Sequence, residues 1–419
     1  MIEAIKKRPF IRPLFWWITG IVLQVCFPLQ RWSLLLLLVL AGVVIFSLFG
    51  AAKKDGFSYN TRWMWGILLS GMFLFLAIQT TAYAERRLSE PAEYSWLQEK
   101  AQAAQEEMVA RLDRLRLPDE GKAILATITI NYRKAMSRDL RDRFSMLGVA
   151  HLLSVSGFHV AIVCGFLMKI LSFFPRRRFY RWLKYFLILF PLWAFTYIAG
   201  LSTPAVRSAL MFMIFLTGQA TGRRPDRYNT LAAVAFCMLV YQPFYLFDVG
   251  FQLSFLAVFF ILYLQPRFAR LIQPRNPLLA EPWSVLTVTM AAQTGTFFLC
   301  CYYFGKSSAV FLFTNLFLSL LATVLIPVTL LFMLLPTGMP GYGMLQWALE
   351  RLTECMLWIV DQFSRISWAT FPLRFDFVSL IGSYLILGLL FYYFHSKRVM
   401  VLQVSLVFFI LLLCRQLFF

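Results

Sequence analysis

Charge is scarce in this sequence and lopsided where it occurs. Only 14% of the 419 residues are charged, and 20 acidic residues stand against 40 basic ones, for a net charge of +20. Hydrophobic residues make up 60% and mean hydropathy reaches +0.69, far above the roughly 45–50% apolar usage of soluble domains. A soluble globular enzyme is excluded. Histidine is scarcer still, with only His151, His159 and His395; no metal site and no cofactor are expected. The seven cysteines, Cys26, Cys164, Cys237, Cys300, Cys301, Cys355 and Cys414, lie mostly inside apolar stretches without a CxxC pair. That excludes a disulfide framework and leaves small buried hydrophobes. Neither a fixed-period repeat nor a low-complexity tract occurs, which excludes solenoids and flexible linkers.

What is present is a series of long apolar runs. Stretches able to cross roughly 30 Å of hydrocarbon as helices fall at 14–30, 33–50, 64–84, 150–174, 183–201, 205–221, 229–247, 250–265, 284–304, 309–335, 377–395 and 399–414. The fold class is therefore all-α, a polytopic helical membrane protein with 11–12 membrane segments. The first run follows Lys6, Lys7, Arg8 and Arg12 without a small-residue cleavage site, so it reads as a retained helix and not a signal peptide.

Basic residues set the orientation, because Lys and Arg in short loops stay on the cytoplasmic side. A cytoplasmic N-terminus follows. Lys53, Lys54 and Arg62, then Arg176, Arg177, Arg178, Arg181 and Lys184, then Arg223, Arg224 and Arg227, then Arg267, Arg270 and Arg275, each come after an even number of crossings. The loops between them carry isolated cations such as Arg31, Arg207 and Lys306. After residue 304 the pattern breaks: with one crossing at 309–335 and an interfacial helix at 345–363, Lys397 and Arg398 face outside. A split of 309–335 at Pro327 into a kinked or re-entrant pair reverses that ending.

The sizeable extramembrane segment, 85–147, is nearly charge-balanced and falls outside. Tyr94, Leu97, Ala101, Ala104, Met108, Leu112 and Leu115 recur at helical spacing among Glu, Gln and Arg, and Pro118 ends the stretch. Its acids, Glu85, Glu93, Glu106, Glu107, Asp113, Asp119 and Glu120, are interleaved with Arg and Lys, the pattern of a charge-laced exposed helix. Ser137 is placed to cap a short helix that stops at Gly148.

Polar groups inside apolar runs are costly unless partnered or wetted, and they mark where function sits. The densest place is His151-Leu152-Leu153-Ser154-Val155-Ser156-Gly157-Phe158-His159. On a regular helix the two imidazoles stand roughly 80° apart, one broad polar face, although Ser156-Gly157 is a natural break. A serine flanked by two histidines also invites a hydrolase reading, but no acid accompanies it and Ser156-Gly157 is not a GxSxG elbow. Further insertions are Arg207 near Pro204, Asp248 with Gln252 and Ser254, Gln293 with Thr294, and Asn315 with Ser319 and Thr323 on one face. Singly, each suits an interhelical hydrogen bond. Together they suggest convergence on a wet cavity.

These motifs resemble the ComEC competence proteins, the inner-membrane DNA channels of natural transformation. His151–His159 is similar to that family's HLLxxSGxH signature. In chain order, Lys134-Ala135-Met136-Ser137 with Leu140-Arg141 resembles its approach to the signature, Pro204–Ser208 its PSxxRA helix start, and Asp248–Phe255 its DxGFQLSF stretch. Gln293, Phe304-Gly305 and Thr314-Asn315-Leu316 parallel its AQ, FG and NL elements, so the likeness covers about 118–335. Full-length relatives add an oligonucleotide-binding barrel and a metallo-β-lactamase-like nuclease. Neither is expected in this stretch: 85–147 is too short and too helical in pattern for a barrel, and three histidines supply no HxHxDH motif. Gly305-Lys306-Ser307 is not a Walker A loop either, because Cys300 stands where glycine is required.

The resemblance implies an inner-membrane channel importing single-stranded DNA, without catalytic residues of its own. It implies as partners the lipid bilayer, a separate cytoplasmic motor ATPase, and external DNA-receptor and nuclease proteins. The implied lining is His151, Ser154, Ser156, Gly157, His159, Arg207, Asp248, Gln252, Ser254, Gln293 and Asn315. Arg207 is expected to contribute to an external electropositive mouth, and Asp248 to anchor a helix junction by pairing with it. The expected organisation is N-terminal transmembrane helices at 1–84, the amphipathic extramembrane segment at 85–147, the channel core at 148–336, and an interfacial helix with C-terminal transmembrane helices at 337–419. An anion transporter with mid-depth His and Arg, or an intramembrane hydrolase on Ser156 and His159, are the alternatives.

Overall fold

In the computed structural model, residues 8–29, 33–52, 62–88, 96–175, 177–222, 226–366 and 368–418 are described. Lys6, Lys7, Arg31, Lys53, Lys54, Glu93, Tyr94, Arg176, Arg223 and Arg224 lie outside them. The apolar runs of the sequence are largely helical. In chain order these helices are α1 (Ile11–Cys26), α2 (Ser33–Ala52), α3 (Arg62–Leu88), α4 (Trp96–Leu112), α5 (Asp119–Ile130), α6 (Arg138–Met146), α7 (Gly157–Ile170) and α8 (Arg178–Ile198). They continue as α9 (Thr203–Ala220), α10 (Arg227–Tyr241), α11 (Val249–Phe268), α12 (Pro277–Phe304), α13 (Phe311–Leu334), α14 (Tyr342–Ser364), α15 (Phe377–Ser396) and α16 (Val399–Phe418). Two three-residue strands, β1 (Lys306–Ser308) and β2 (Thr370–Pro372), complete the described structure. Five helices are long and apolar enough to cross a membrane: Trp65–Arg87, Val249–Phe268, Leu278–Phe304, Phe311–Leu334 and Phe377–Ser396. The protein is an all-α polytopic membrane protein.

The chain forms two compact units. The first comprises Met1–Met108 and Val155–Phe255. Its apolar centre gathers Trp17 and Ile21 of α1, Ala77 of α3, Val234 and Leu239 of α10 and Phe251 of α11. The Trp17 indole donates to the Leu239 carbonyl at 3.3 Å, which satisfies its one polar group inside that cluster.

The second unit comprises Val109–Ser154 and Leu256–Phe419. Here α5 is sunk into the fold: Gly121 and every residue from Ala123 to Ile130 are buried, several of them against α13 and α14. Helical amphipathicity fades from its sequence because every side is covered. The short helix α6 begins as its residues suggest, with the Ser137 hydroxyl accepting from the Leu140 amide at 3.2 Å.

Two features of this unit bear on the course of the chain after residue 304. Pro327 lies inside an unbroken α13 and does not split it. The helix 345–363 is part of α14, which runs back along α13, and β1 pairs antiparallel with β2 in the register Lys306 to Pro372 and Ser308 to Thr370. The α13–α14 hairpin therefore returns the chain to the end it left. From there α15 runs antiparallel to α12: Phe375 stacks on Phe298, and Tyr384 donates to the Gly295 carbonyl at 2.7 Å. At its far end Phe391 meets Tyr263 of α11, one turn before Arg267. Lys397 and Arg398 thus share the end of this unit that carries Arg267 and Arg270.

Candidate functional site: the signature loop and its two polar clusters

The apolar run expected to form one helix over 150–174 is broken within the signature. Ala150–Leu153 make a single 3₁₀ turn, Ser154 and Ser156 are extended, and α7 starts only at Gly157. The cause is local. Ser156 occupies the N-cap with β-region dihedrals, and the His159 Nδ1 lies 3.2 Å from the Ser156 backbone nitrogen and 3.1 Å from its hydroxyl. This reciprocal cap uses histidine at N3 where glutamate is customary. It also accounts for the serine–histidine approach without a reaction, since one ring nitrogen receives both groups. The division between the two units falls inside the motif, after Ser154.

In the first unit, Ser156, Gly157 and buried His159 stand against α9. A Cβ on Gly157 would come within 2.9 Å of the Ser208 hydroxyl, so glycine is what lets the two helices approach here. The neighbouring Arg207 is 1% exposed. Its Nη2 donates to the Gly250 carbonyl at 2.8 Å, and its guanidinium lies 5.8 Å from the Phe251 ring centre. Asp248 is 3.9 Å from Nη1, and its carboxylate accepts the Phe251 amide at 2.6 Å at the start of α11. Arg207 thus turns inward as a strut between α9 and the α11 start, and is not a surface cation at a mouth. The pairing with Asp248 is loose because the carboxylate is spent on the helix start. Gln252 folds back to the Leu246 carbonyl at 2.9 Å, and Ser254 is half-buried one turn from Gly250.

In the second unit, His151 and Asn315 come together. The His151 imidazole stands beside Asn315 and the Gly148 backbone. Asn315 is 6% exposed. Its amide donates to the Thr289 hydroxyl of α12 at 2.7 Å, and its carbonyl accepts from Ser319 at 3.0 Å. One asparagine therefore links α12 and α13 beside the signature turn. The Thr314 hydroxyl donates to the Leu147 carbonyl at 3.0 Å and fastens the same junction. Gly148 adopts φ +75°, and a Cβ there would lie 2.9 Å from Phe311, so the turn into the signature requires glycine twice over. Ser154 and Gln293 are half-buried, and the hydrogen bonds among the described residues connect neither to this cluster.

Thr289 was missed by sequence reasoning. Its signal was available: it precedes Gln293 by four residues on α12 and so shares its face. Just upstream of the signature, burial and the neighbouring Arg141 push the Arg133 guanidinium below its ordinary value. Among the described residues no group of three or more His, Cys, Asp or Glu is placed to hold a metal ion.

Residues 128–397 match the profile of the Competence protein family. The chain is also similar to ComE operon protein 3 of Bacillus subtilis (strain 168), with 28% identity over 194 residues. That alignment covers 46% of this chain and 24% of the relative, so the chain matches about a quarter of that protein's length. No solved structure matches the chain.

Proposed function

The chain belongs to the Competence protein family, and from that membership we propose that it is a channel of the bacterial cytoplasmic membrane that carries single-stranded DNA inward during natural transformation. The observation that supports this most is the signature loop. Three successive residues are unwound beside apolar helices, and irregular backbone at membrane depth is tolerated only where protein buries it or water lines it. The polar cluster around Asn315 supports the same reading, since it gathers hydroxyl, amide and imidazole groups within apolar helices.

A strand carries one phosphate per nucleotide, so its passage calls for weak, replaceable donors and not a deep anion trap. In this reading the donors are His151, Ser154, Ser156, Gly157, His159, Gln252, Ser254, Gln293 and Asn315. Arg207 and Asp248 support the wall behind them. The ends bearing Arg267, Arg270, Lys397 and Arg398 lie in the cytoplasm, with the N-terminus. The channel core is 148–336, flanked by the helices of 1–84 and 337–419 and the 85–147 segment. A separate cytoplasmic ATPase supplies the pull, and external receptor and nuclease proteins deliver the strand; no phosphodiester chemistry is assigned to this chain.

The test is uptake of labelled DNA in a transformable strain deleted for its own competence membrane protein and complemented with this chain. Restored uptake that falls with Asn315→Ala supports the reading. Normal membrane insertion with no uptake in the presence of the strain's other competence proteins overturns it.

A further inference from the structure

Outside the signature, the second unit holds a groove of about 550 Å³ between α12, α15 and α16. Its walls are Phe298, Phe375, Ile386, Leu390, Leu406 and Phe409, relieved by the serines 379, 383 and 405. Lining residues on α15 run from Ser379 to Leu390, roughly 17 Å at the helical rise. A second transmembrane helix, about 10 Å across and 30 Å long, would fill roughly 2,400 Å³ and does not fit. The groove is long, narrow and apolar, the shape of one acyl chain.

One end of this groove is charged. Arg415, near the end of α16, bonds the Asp376 carboxylate, and its other terminal nitrogen, Nη1, is buried without a hydrogen-bond partner among the described residues. Arg374 packs over Gly305 beside the same groove wall, next to Phe375, and Lys306 follows Gly305 directly. Asp376 is the one acid among these three cations, and it is engaged by Arg415 and by the Ser379 amide at 3.0 Å. An excess of positive charge with an unfilled guanidinium nitrogen, at the mouth of an apolar slot, complements an anion that carries a hydrocarbon chain.

We propose that the α12–α15–α16 groove is a binding site for an anionic phospholipid, with an acyl chain along α15 and the headgroup phosphate on Arg415. The site is independent of the strand-conducting role. Its consequence is that the terminal hairpin is held against α12 by lipid as well as by side chains.

The experiment is native mass spectrometry of the detergent-purified full chain with phosphatidylglycerol or phosphatidylcholine of identical acyl composition. The wild type should retain one phosphatidylglycerol about fivefold more than phosphatidylcholine, the factor for a single interfacial cation meeting an anionic headgroup. Arg415→Gln should erase that preference while leaving phosphatidylcholine retention unchanged. Asp376→Asn, which loosens the same ion pair but keeps the cation, should preserve the preference and so separates phosphate binding from simple disturbance of the hairpin. Ser405→Phe should reduce retention of both lipids. Equal retention of the two lipids by the wild type, or a preference that survives Arg415→Gln, overturns the proposal.

Discussion

Removal of the Asn315 side chain is the sharpest test of how the second unit is joined. Asn315→Ala breaks the bonds to Thr289 and Ser319 at once. Hydrogen bonds between membrane helices average about 0.6 kcal/mol, and those in soluble cores about 1. Two such losses come to roughly 1–2 kcal/mol, or some 5- to 30-fold in the folding equilibrium. Because Asn315 is 6% exposed, water cannot easily replace the lost partners. The assay is reversible unfolding in mixed micelles. A double-mutant cycle with Thr289→Ala isolates one bond, and the coupling should be about 0.6–1 kcal/mol. Full native stability of Asn315→Ala, or zero coupling to Thr289, would refute the argument that this asparagine links α12 to α13.

Gly148→Ala, at φ +75° and 2.9 Å from Phe311, should destabilise the second unit by about 1–2 kcal/mol in the same assay. Gly157→Ala should cost less, about 1 kcal/mol, because only the Ser208 hydroxyl must move; Ser208→Ala in the same chain should restore stability, and failure to do so would show that the helices approach for another reason. Cysteines substituted at positions 154 and 159 should react with a small hydrophilic thiol reagent in functional protein, and complete protection of both would count against a wetted signature. Asp376 is held at about pH 2 by the Ser379 and Arg415 groups around it, below its ordinary 3.8, so its folded-state advantage is complete above that ordinary value and fades as pH falls towards 2. Thermal unfolding of Asp376→Asn should therefore lose the part of the pH dependence that the wild type shows between about 4 and 2.

The apolar runs were legible because a spanning helix needs some twenty successive nonpolar residues, a demand written directly into composition. The start of α7 was only half legible. Ser156-Gly157 announced a possible break, but hydropathy continues smoothly across it, and the deciding contact is a histidine side chain returning to Ser156. The Arg207–Asp248 approach was anticipated from sequence, yet the burial of Arg207 was not, since loop position and charge sign suggested an exposed cation. What hides it is the Gly250 carbonyl and the Phe251 ring, forty-odd residues away in the chain. The long-range partner Thr289 was signalled only by the helix face it shares with Gln293, a weak mark because hydroxyls in apolar helices ordinarily bond their own preceding turn.

The β1–β2 pairing carries a consequence for how such a protein can change over generations. Its two strands hold Ser308 and Thr370 side by side, so the sixty-odd residues between them behave as a detachable bracket in the chain. Whatever is written inside that bracket must come back to its starting margin. The segment can lengthen, shrink or be exchanged, and α15 and α16 still enter the bilayer from the same face. Orientation of the C-terminal hairpin is thereby insulated from the history of everything between the strands.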